Sequence, residues 1–219
     1  MKYLSFGAGV NSTALMLLLL DEGVDFESVF VDTGCEWPET YEHLHRLEEE
    51  GYEITWIRPE VSGTHTLYEY MMKYKFIPAW RRRFCTAKWK RTPFDRYVET
   101  PCTTYIGYDF EERRRRHLRD RKGIHFEYPL IERMITRERC VKIIRDHGLP
   151  VPPKSGCWLC PFQDLAGWKR LRDTYPELFR RARDLEDMSP WGFTFRRGMR
   201  LSSIHQDTTL EDFMEEGGE

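Results

Sequence analysis

Three short apolar runs alternate with two helical stretches in the first sixty residues, and few folds accommodate that order. Residues 2–6 read as a buried strand, and 12–22 as a helix with an apolar face. "FESVFVDTG" (26–34) is a second strand, ending abruptly in Thr-Gly. "PETYEHLHRLEEEG" (38–51) opens with Pro in a first-turn position, carries early acid and closes on Gly51, as a helix does. "YEITWIRP" (52–59) is a third strand, and "TTYIGYD" (103–109) a later one that again runs into a polar loop. A strand–helix–strand–helix–strand order requires crossovers, so the expected fold class is α/β, a parallel sheet with helices packed on it. Ligands of such sheets bind beyond the carboxyl ends of the strands. The loop after the first strand and the "DTG" after the second should therefore face one crevice.

The first of those loops is unusual. The strand runs into Gly7, Ala8 and Gly9, then into Asn11, Ser12 and Thr13, before a Leu-rich helix. A turn alone needs one glycine. Three small residues followed by amide and hydroxyl side chains suit a backbone opened to hold a phosphate on N–H groups at a helix N-terminus. The plain alternative is a tight connection with Asn11 or Ser12 as an ordinary cap.

Net charge says little about partners, because 34 basic residues stand against 36 acidic ones. Charge distribution says more. Six Lys/Arg and no acid lie between Arg81 and Arg91, and seven Lys/Arg with only Asp120 between Arg113 and Lys122. Asp207 to Glu219 carries acids alone. In "YEYMMKYKFIPAWRRRFCTAKWKR" (68–91) basic residues interleave with aromatic ones, a pattern that suits phosphate neutralisation with base stacking. A partly buried amphipathic helix with solvated arginines gives the same pattern. Residues 68–91 and 113–122 are thus the candidate surface for tRNA or DNA. The N-terminal apolar segment is interrupted by polar residues with no cleavage motif after it, and Leu15–Leu20 is too short to span a bilayer. A cytoplasmic protein without membrane contact is expected, and a homodimer is allowed.

Beyond residue 130 the pattern changes. "TRERCVKIIRDHG" (136–148) is a helix ended by Gly148; an irregular "LPVPPKSGCWLCPF" comes next, and 165–188 is helical with a break near Pro176. The expected plan is an α/β domain over 1–130, which the resemblance described below makes nucleotide-binding, and a smaller helical, Cys-rich part over 131–219. In a reducing compartment the six cysteines point away from disulfides and toward metal, cluster or catalytic roles. Cys157 and Cys160 form a C-x-x-C turn, which by itself leaves zinc, an iron–sulfur cluster and a redox pair open. Cys85 and Cys140 are the candidates to complete four ligands. Cys35 lies beside the crevice without an identifiable base, and Cys102 reads as core.

These stretches resemble a known family. "SFGAGVNST" resembles the pyrophosphate loop of N-type ATP pyrophosphatases (PP-loop proteins), usually Ser-Gly-Gly-x-Asp-Ser. "VDTGCEWPETY" is similar to the Asp-Thr-Gly-x-x-Phe-Pro-Glu-Thr-Tyr of phosphoadenylyl-sulfate (PAPS) reductases, and "GYDFEERRRR" to their later Gly-x-x-x-(Asp/Glu)-Glu-x-x-Arg stretch. The resemblance covers roughly the first 120 residues, in the family's order. It implies the adenine nucleotide α-hydrolase-like fold, a five-stranded parallel sheet between helices. It further implies ATP or a related adenine nucleotide, with phosphates on Gly7, Ala8, Gly9, Asn11, Ser12 and Thr13. Asp32, Thr33 and Gly34 would line the nucleotide, and Ser5, Gly107, Glu112 and Arg115 would join its site. Asn11, Ser12 and Asp32 are the residues expected to carry the chemistry. Two departures stand out: Gly7 replaces Ser, and Asn11 replaces Asp, which removes a negative charge from the handling of Mg²⁺.

The same resemblance favours a [4Fe–4S] cluster over zinc on Cys85, Cys140, Cys157 and Cys160, because "RRRFCTAKWKRTP" is similar to the region that supplies cluster cysteines in relatives. With Cys85, Cys157 and Cys160 alone, one iron is open and could carry sulfide; with Cys140 as well, the cluster is closed. The expected function is adenylation of a substrate, a nucleic acid among the candidates, for sulfur transfer from an unidentified donor. One alternative is an APS or PAPS reductase, against which stands the lack of any cysteine after Cys160. The other is a non-catalytic nucleotide- or nucleic-acid-binding module.

Overall fold

A computed structural model describes residues 1–78, 84–116, 120–190, 192–196 and 198–204. The acidic stretch from Asp207, Arg81–Arg83 and His117–Arg119 of the basic runs lie outside the described residues. The first strands and helices follow the expected order: β1 (Lys2–Phe6), α1 (Val10–Asp21), β2 (Glu27–Val31), α2 (Pro38–Glu49), β3 (Thr55–Ile57) and α3 (Leu67–Tyr74). A π-helical turn (Thr86–Arg91) leads into α4 (Thr92–Tyr97), then β4 (Cys102–Ile106), a 3₁₀ turn (Phe110–Arg115) and β5 (Ile124–Glu127). Next come α5 (Pro129–Glu132), α6 (Arg137–Asp146), α7 (Leu165–Thr174) and α8 (Pro176–Met188). The five strands form one parallel sheet in the order β3-β2-β1-β4-β5. The chain crosses from one flank of β1 to the other between β3 and β4. Strand order therefore reverses at β1/β4, where a doubly wound sheet opens its ligand crevice.

Alternation along β1 decides what covers each face. Leu4 and Phe6 point into a core shared with Leu15 of α1, Leu44 and Leu47 of α2, and Ile143 and Ile144 of α6. Tyr3 points the other way, into a second cluster with Val29, Phe94 and Val98 of the α4 region, and Cys102. Burial on both faces is what a parallel sheet requires. α1 is buried along nearly its whole length because α6 covers the side turned away from the sheet.

That packing moves the expected boundary. Residues 131–158 belong with the sheet rather than with a C-terminal part: the first compact unit comprises Met1–Tyr70 and Phe84–Trp158. The second takes the residues immediately after Tyr70 and the chain from Leu159 onward. Within it, α7 and α8 pair, and their junction falls at Pro176, which starts a helix readily but cannot continue one. Asp164 caps α7 by accepting from the Gly167 N–H at 2.7 Å. The buried Glu186 carboxylate accepts from the backbone N–H groups of Phe195 (3.0 Å) and Leu201 (2.6 Å).

Candidate nucleotide site

The parallel pairing of β1 with β2 puts both loops at the carboxyl edge of the sheet, as expected. After β1 the chain is shaped by backbone contacts. Ala8 is buried with φ 51°, a left-handed conformation tolerated here by a side chain of one methyl. Gly9 caps α1; its N–H donates to Ser12 Oγ, whose hydroxyl donates to the Gly9 carbonyl, both at 3.1 Å. Gly107 at the end of β4 lies so close that an added Cβ would stand 2.8 Å from Ser12 Cα and 2.9 Å from Ser12 N. A Cβ on Gly9 would stand 2.5 Å from Ser155 Oγ. These two glycines are close-approach positions; Gly7 meets only Ser12 Oγ at an ordinary 3.8 Å.

Two contiguous cavities open on this loop. One, of about 450 Å³, is bounded by Gly7, Gly9, Asn11, Ser12 and Gly107, with Arg137 and Lys154 supplying positive charge. The other, of about 390 Å³, has an apolar wall of Val29, Val31, Ile106 and Phe126, with Lys90, Arg91 and Arg121 among its lining. Ser5, Gly7, Ile106, Tyr108 and Arg115 line both. The Arg115 guanidinium lies over the Tyr108 ring at 4.4 Å and pairs with Glu112. Arg121 donates to Asp95 at 2.6 Å.

Of the expected nucleotide residues, Ser5, Gly7, Gly9, Asn11, Ser12, Gly107, Glu112 and Arg115 line the cavities. Ala8 and Thr13 do not: both are sealed behind the loop. Thr13 Oγ1 meets His43 Nε2 of α2 at 3.1 Å, and burial, then Arg46, brings His43 down to about 4. Asp32, Thr33 and Gly34 form a network of their own and line neither cavity. Asp32 Oδ1 accepts from the Gly34 N–H and the Tyr41 hydroxyl, both at 2.8 Å, which holds the turn after β2. Thr33 Oγ1 donates to the buried Glu36 carboxylate at 2.9 Å, and Glu36 pairs with Lys90 at 3.0 Å. Lys90 thereby joins this network to the apolar cavity. The three side chains expected to carry chemistry are thus already engaged: Ser12 on Gly9, Asn11 on Asp109 and Glu112, Asp32 on its own turn.

Lys90 also lies beside sulfur. Its surroundings disfavour the charge, but the Glu36 carboxylate and then Cys157 and Cys85 outweigh that and hold its proton more firmly than usual. Cys157 reaches this place because the chain runs antiparallel to the turn after β2: Trp37 N–H donates to the Gly156 carbonyl and Trp158 N–H to that of Cys35, both at 3.0 Å. Cys140 corrects the expected ligand set. It is fully buried in the α1–α6 core, where burial and then Asp109 raise its thiol to about 12. Cys160 belongs to the second unit. None of the six cysteines is disulfide-bonded, and among the described residues no group of three or more His, Cys, Asp or Glu could hold a metal ion. With Cys140 in the core the expected set is reduced to Cys85, Cys157 and Cys160, of which Cys85 and Cys157 both lie near Lys90, and no chemistry is derived through a [4Fe–4S] or zinc centre. Cys35 and Cys102 are buried.

In the basic-aromatic stretch two rings turn inward, while Tyr74 is exposed. Trp89 is fully buried and Tyr70 nearly so; they pack edge to face, and Lys88 donates to the Tyr70 hydroxyl at 2.9 Å. Arg113, Arg114 and Arg116 are exposed. Sequence reasoning missed Arg137 and Lys154 as cavity residues, because nothing in their local pattern sets them apart from surface cations. No helix among the described residues is long and apolar enough to cross a membrane.

Comparison with known proteins agrees with this geometry. The family described as Phosphoadenosine phosphosulfate reductase domain matches residues 2–116. An uncharacterised protein of Methanocaldococcus jannaschii is 24% identical over 193 residues, covering 80% of this chain and 45% of that protein. The chain thus spans under half the length of this curated relative. A solved phosphoadenylyl-sulfate (PAPS) reductase from Candida auris, in its phosphate complex, is similar in fold with a TM-score of 0.54 and 16% identity, over 72% of this chain and 81% of that one.

Proposed function

Because the chain belongs to the phosphoadenosine phosphosulfate reductase domain family, we propose that it binds an adenine nucleotide and adenylates an acceptor for sulfur transfer. The observation that carries this reading is the continuity of an apolar cavity with a cationic one across Ser5, Gly7 and Arg115. The apolar part suits adenine, and the loop suits phosphates, with α1 directing N–H groups and a positive dipole end at them. An acceptor oxygen attacks the α-phosphorus of ATP, and the bond to the bridging oxygen breaks. Pyrophosphate leaves with that bond's electron pair, stabilised by the loop N–H groups, Arg137 and Lys154. A sulfur nucleophile then displaces AMP from the acceptor. Exposed Arg113, Arg114 and Arg116 beside the site suit an acceptor that is itself a polyanion, tRNA or DNA.

A second reading, reduction of APS or PAPS, is favoured by a specific feature. Lys90, Arg91 and Arg121 line the apolar cavity and not the loop cavity, so a nucleotide with a second anionic group would find a second set of cations. One experiment separates the readings. The protein is incubated with ATP, with and without tRNA or DNA, and in parallel with APS or PAPS and a dithiol. Pyrophosphate release that depends on the polyanion supports adenylation; sulfite release supports reduction. If ATP, APS and PAPS neither react nor raise the melting temperature, both readings fall.

A further inference from the structure

At the start of α1 two carboxylates converge on one nitrogen. Asp109 is buried; its Oδ1 accepts from the backbone N–H groups of Glu111 (2.9 Å) and Glu112 (3.0 Å), capping the 3₁₀ turn. Its Oδ2 accepts from Asn11 Nδ2 at 2.8 Å, and Glu112 Oε2 accepts from the same nitrogen at 3.0 Å. The other Glu112 oxygen meets Arg115. A primary amide carries two N–H groups, and here each is directed at a different carboxylate. The amide cannot be turned over, because an oxygen would then face both carboxylates. Asn11 is only 8% exposed, and its Oδ1 is buried without a hydrogen-bond partner. An unmatched buried acceptor is a cost the chain bears to keep the N–H side where it is.

Carboxylate oxygens from separate parts of a chain gathered about one point are what hard divalent cations collect. Here a nitrogen donor occupies that point, so the corner as built does not fit Mg²⁺. We infer that Asn11 stands in for a divalent cation, tying the start of α1 to the turn after β4 with two N–H groups and no metal. Any Mg²⁺ used by this chain then arrives on the phosphates of a nucleotide. Aspartate at position 11 converts the corner into three mutually repelling carboxylates that a cation must bridge. The inference concerns the protein without nucleotide and does not rest on the proposed reaction.

Thermal unfolding of the full chain tests it, in EDTA and in millimolar MgCl₂, with Mn²⁺ binding followed by electron paramagnetic resonance. The wild type should melt within about a degree in the two buffers. Asn11→Asp should melt roughly 5–10 °C lower in EDTA, recover in Mg²⁺ and bind one Mn²⁺. A folded Asn11→Asp protein indifferent to both cations overturns the inference. If that variant does not fold in either buffer, the wild type and Glu112→Gln decide. Equal, non-saturating Mn²⁺ titrations support the inference; saturable wild-type binding lost in Glu112→Gln overturns it.

Discussion

β1 and β2 leave the sheet side by side, yet the loops they feed are built differently. After β1 the contacts are backbone on backbone: Gly107 against Ser12, Gly9 against Ser155, and a cap in which Gly9 and Ser12 satisfy each other. After β2 they are side chain on side chain: Asp32 on Tyr41, Thr33 on Glu36, Glu36 on Lys90 beside two sulfurs. The first construction gives a close-packed backbone cradle, the part proposed above to hold phosphate. The second gives a responsive element of another kind, a chain of side chains that ends on Lys90 in the lining of the apolar cavity. Cradle and responsive element are separate pieces of neighbouring loops, and each can be altered without the other.

The largest effect should come from the cradle. Gly107→Ala drives a methyl into the backbone of Ser12, which cannot rotate away. We expect a loss of roughly 3 kcal/mol in urea unfolding and at least tenfold weaker nucleotide binding by calorimetry. Equal binding in this variant would break the comparison, since the cradle would then be soft. His43 supports the cradle through Thr13 and gives it a pH signature. Folding keeps the ring neutral down to about 4 against an ordinary 6.5. Its contribution is therefore whole above pH 6.5 and is lost progressively as pH falls toward 4. Over that interval the wild type should lose on the order of 2 kcal/mol that His43→Gln does not.

The responsive side should show a smaller stability effect. Glu36→Ala strands Lys90, but that side chain is 45% exposed, so water takes over part of the lost pairing. About 1 kcal/mol is expected, together with faster acylation of Lys90, read by mass spectrometry of peptides. The effect at Cys140 should be no larger, and confined to stability. As a core residue, Cys140→Ala should cost about 1 kcal/mol and leave the iron and zinc content of an anaerobic preparation unchanged. A loss of bound metal in that variant would return Cys140 to the ligand set.

Much of the fold was legible because its signals are local. The runs that became β1, β2 and β4 are apolar, Pro38 sits in the first turn of α2, and Pro176 separates α7 from α8. β5 was not legible: Ile124–Glu127 is four residues long and alternates with His and Glu, too short to establish a period. In the site, the small residues of the loop signalled close backbone approach, and Gly9 has it, against Ser155. The Asp-Thr-Gly stretch suggested a nucleotide lining, whereas Asp32 holds Tyr41 and the Gly34 N–H, and Thr33 holds Glu36. That outcome depends on Tyr41, Glu36 and the distant Lys90, which no local pattern pairs. Cys140 was readable in hindsight, since Cys140, Ile143 and Ile144 share the i, i+3, i+4 face of α6 and all three are buried.

The pairing of residues 35–37 with residues 156–158 bears on biosynthesis. At ordinary ribosomal speeds, the turn after β2 waits on the order of ten seconds for its partner strand to be made. Until then the Trp37 N–H and the Cys35 carbonyl have only solvent or a chaperone to bind. A nascent chain stalled between β5 and Gly156 should therefore be cut more readily by protease in the turn after β2 than the finished chain, although all five strands have been made.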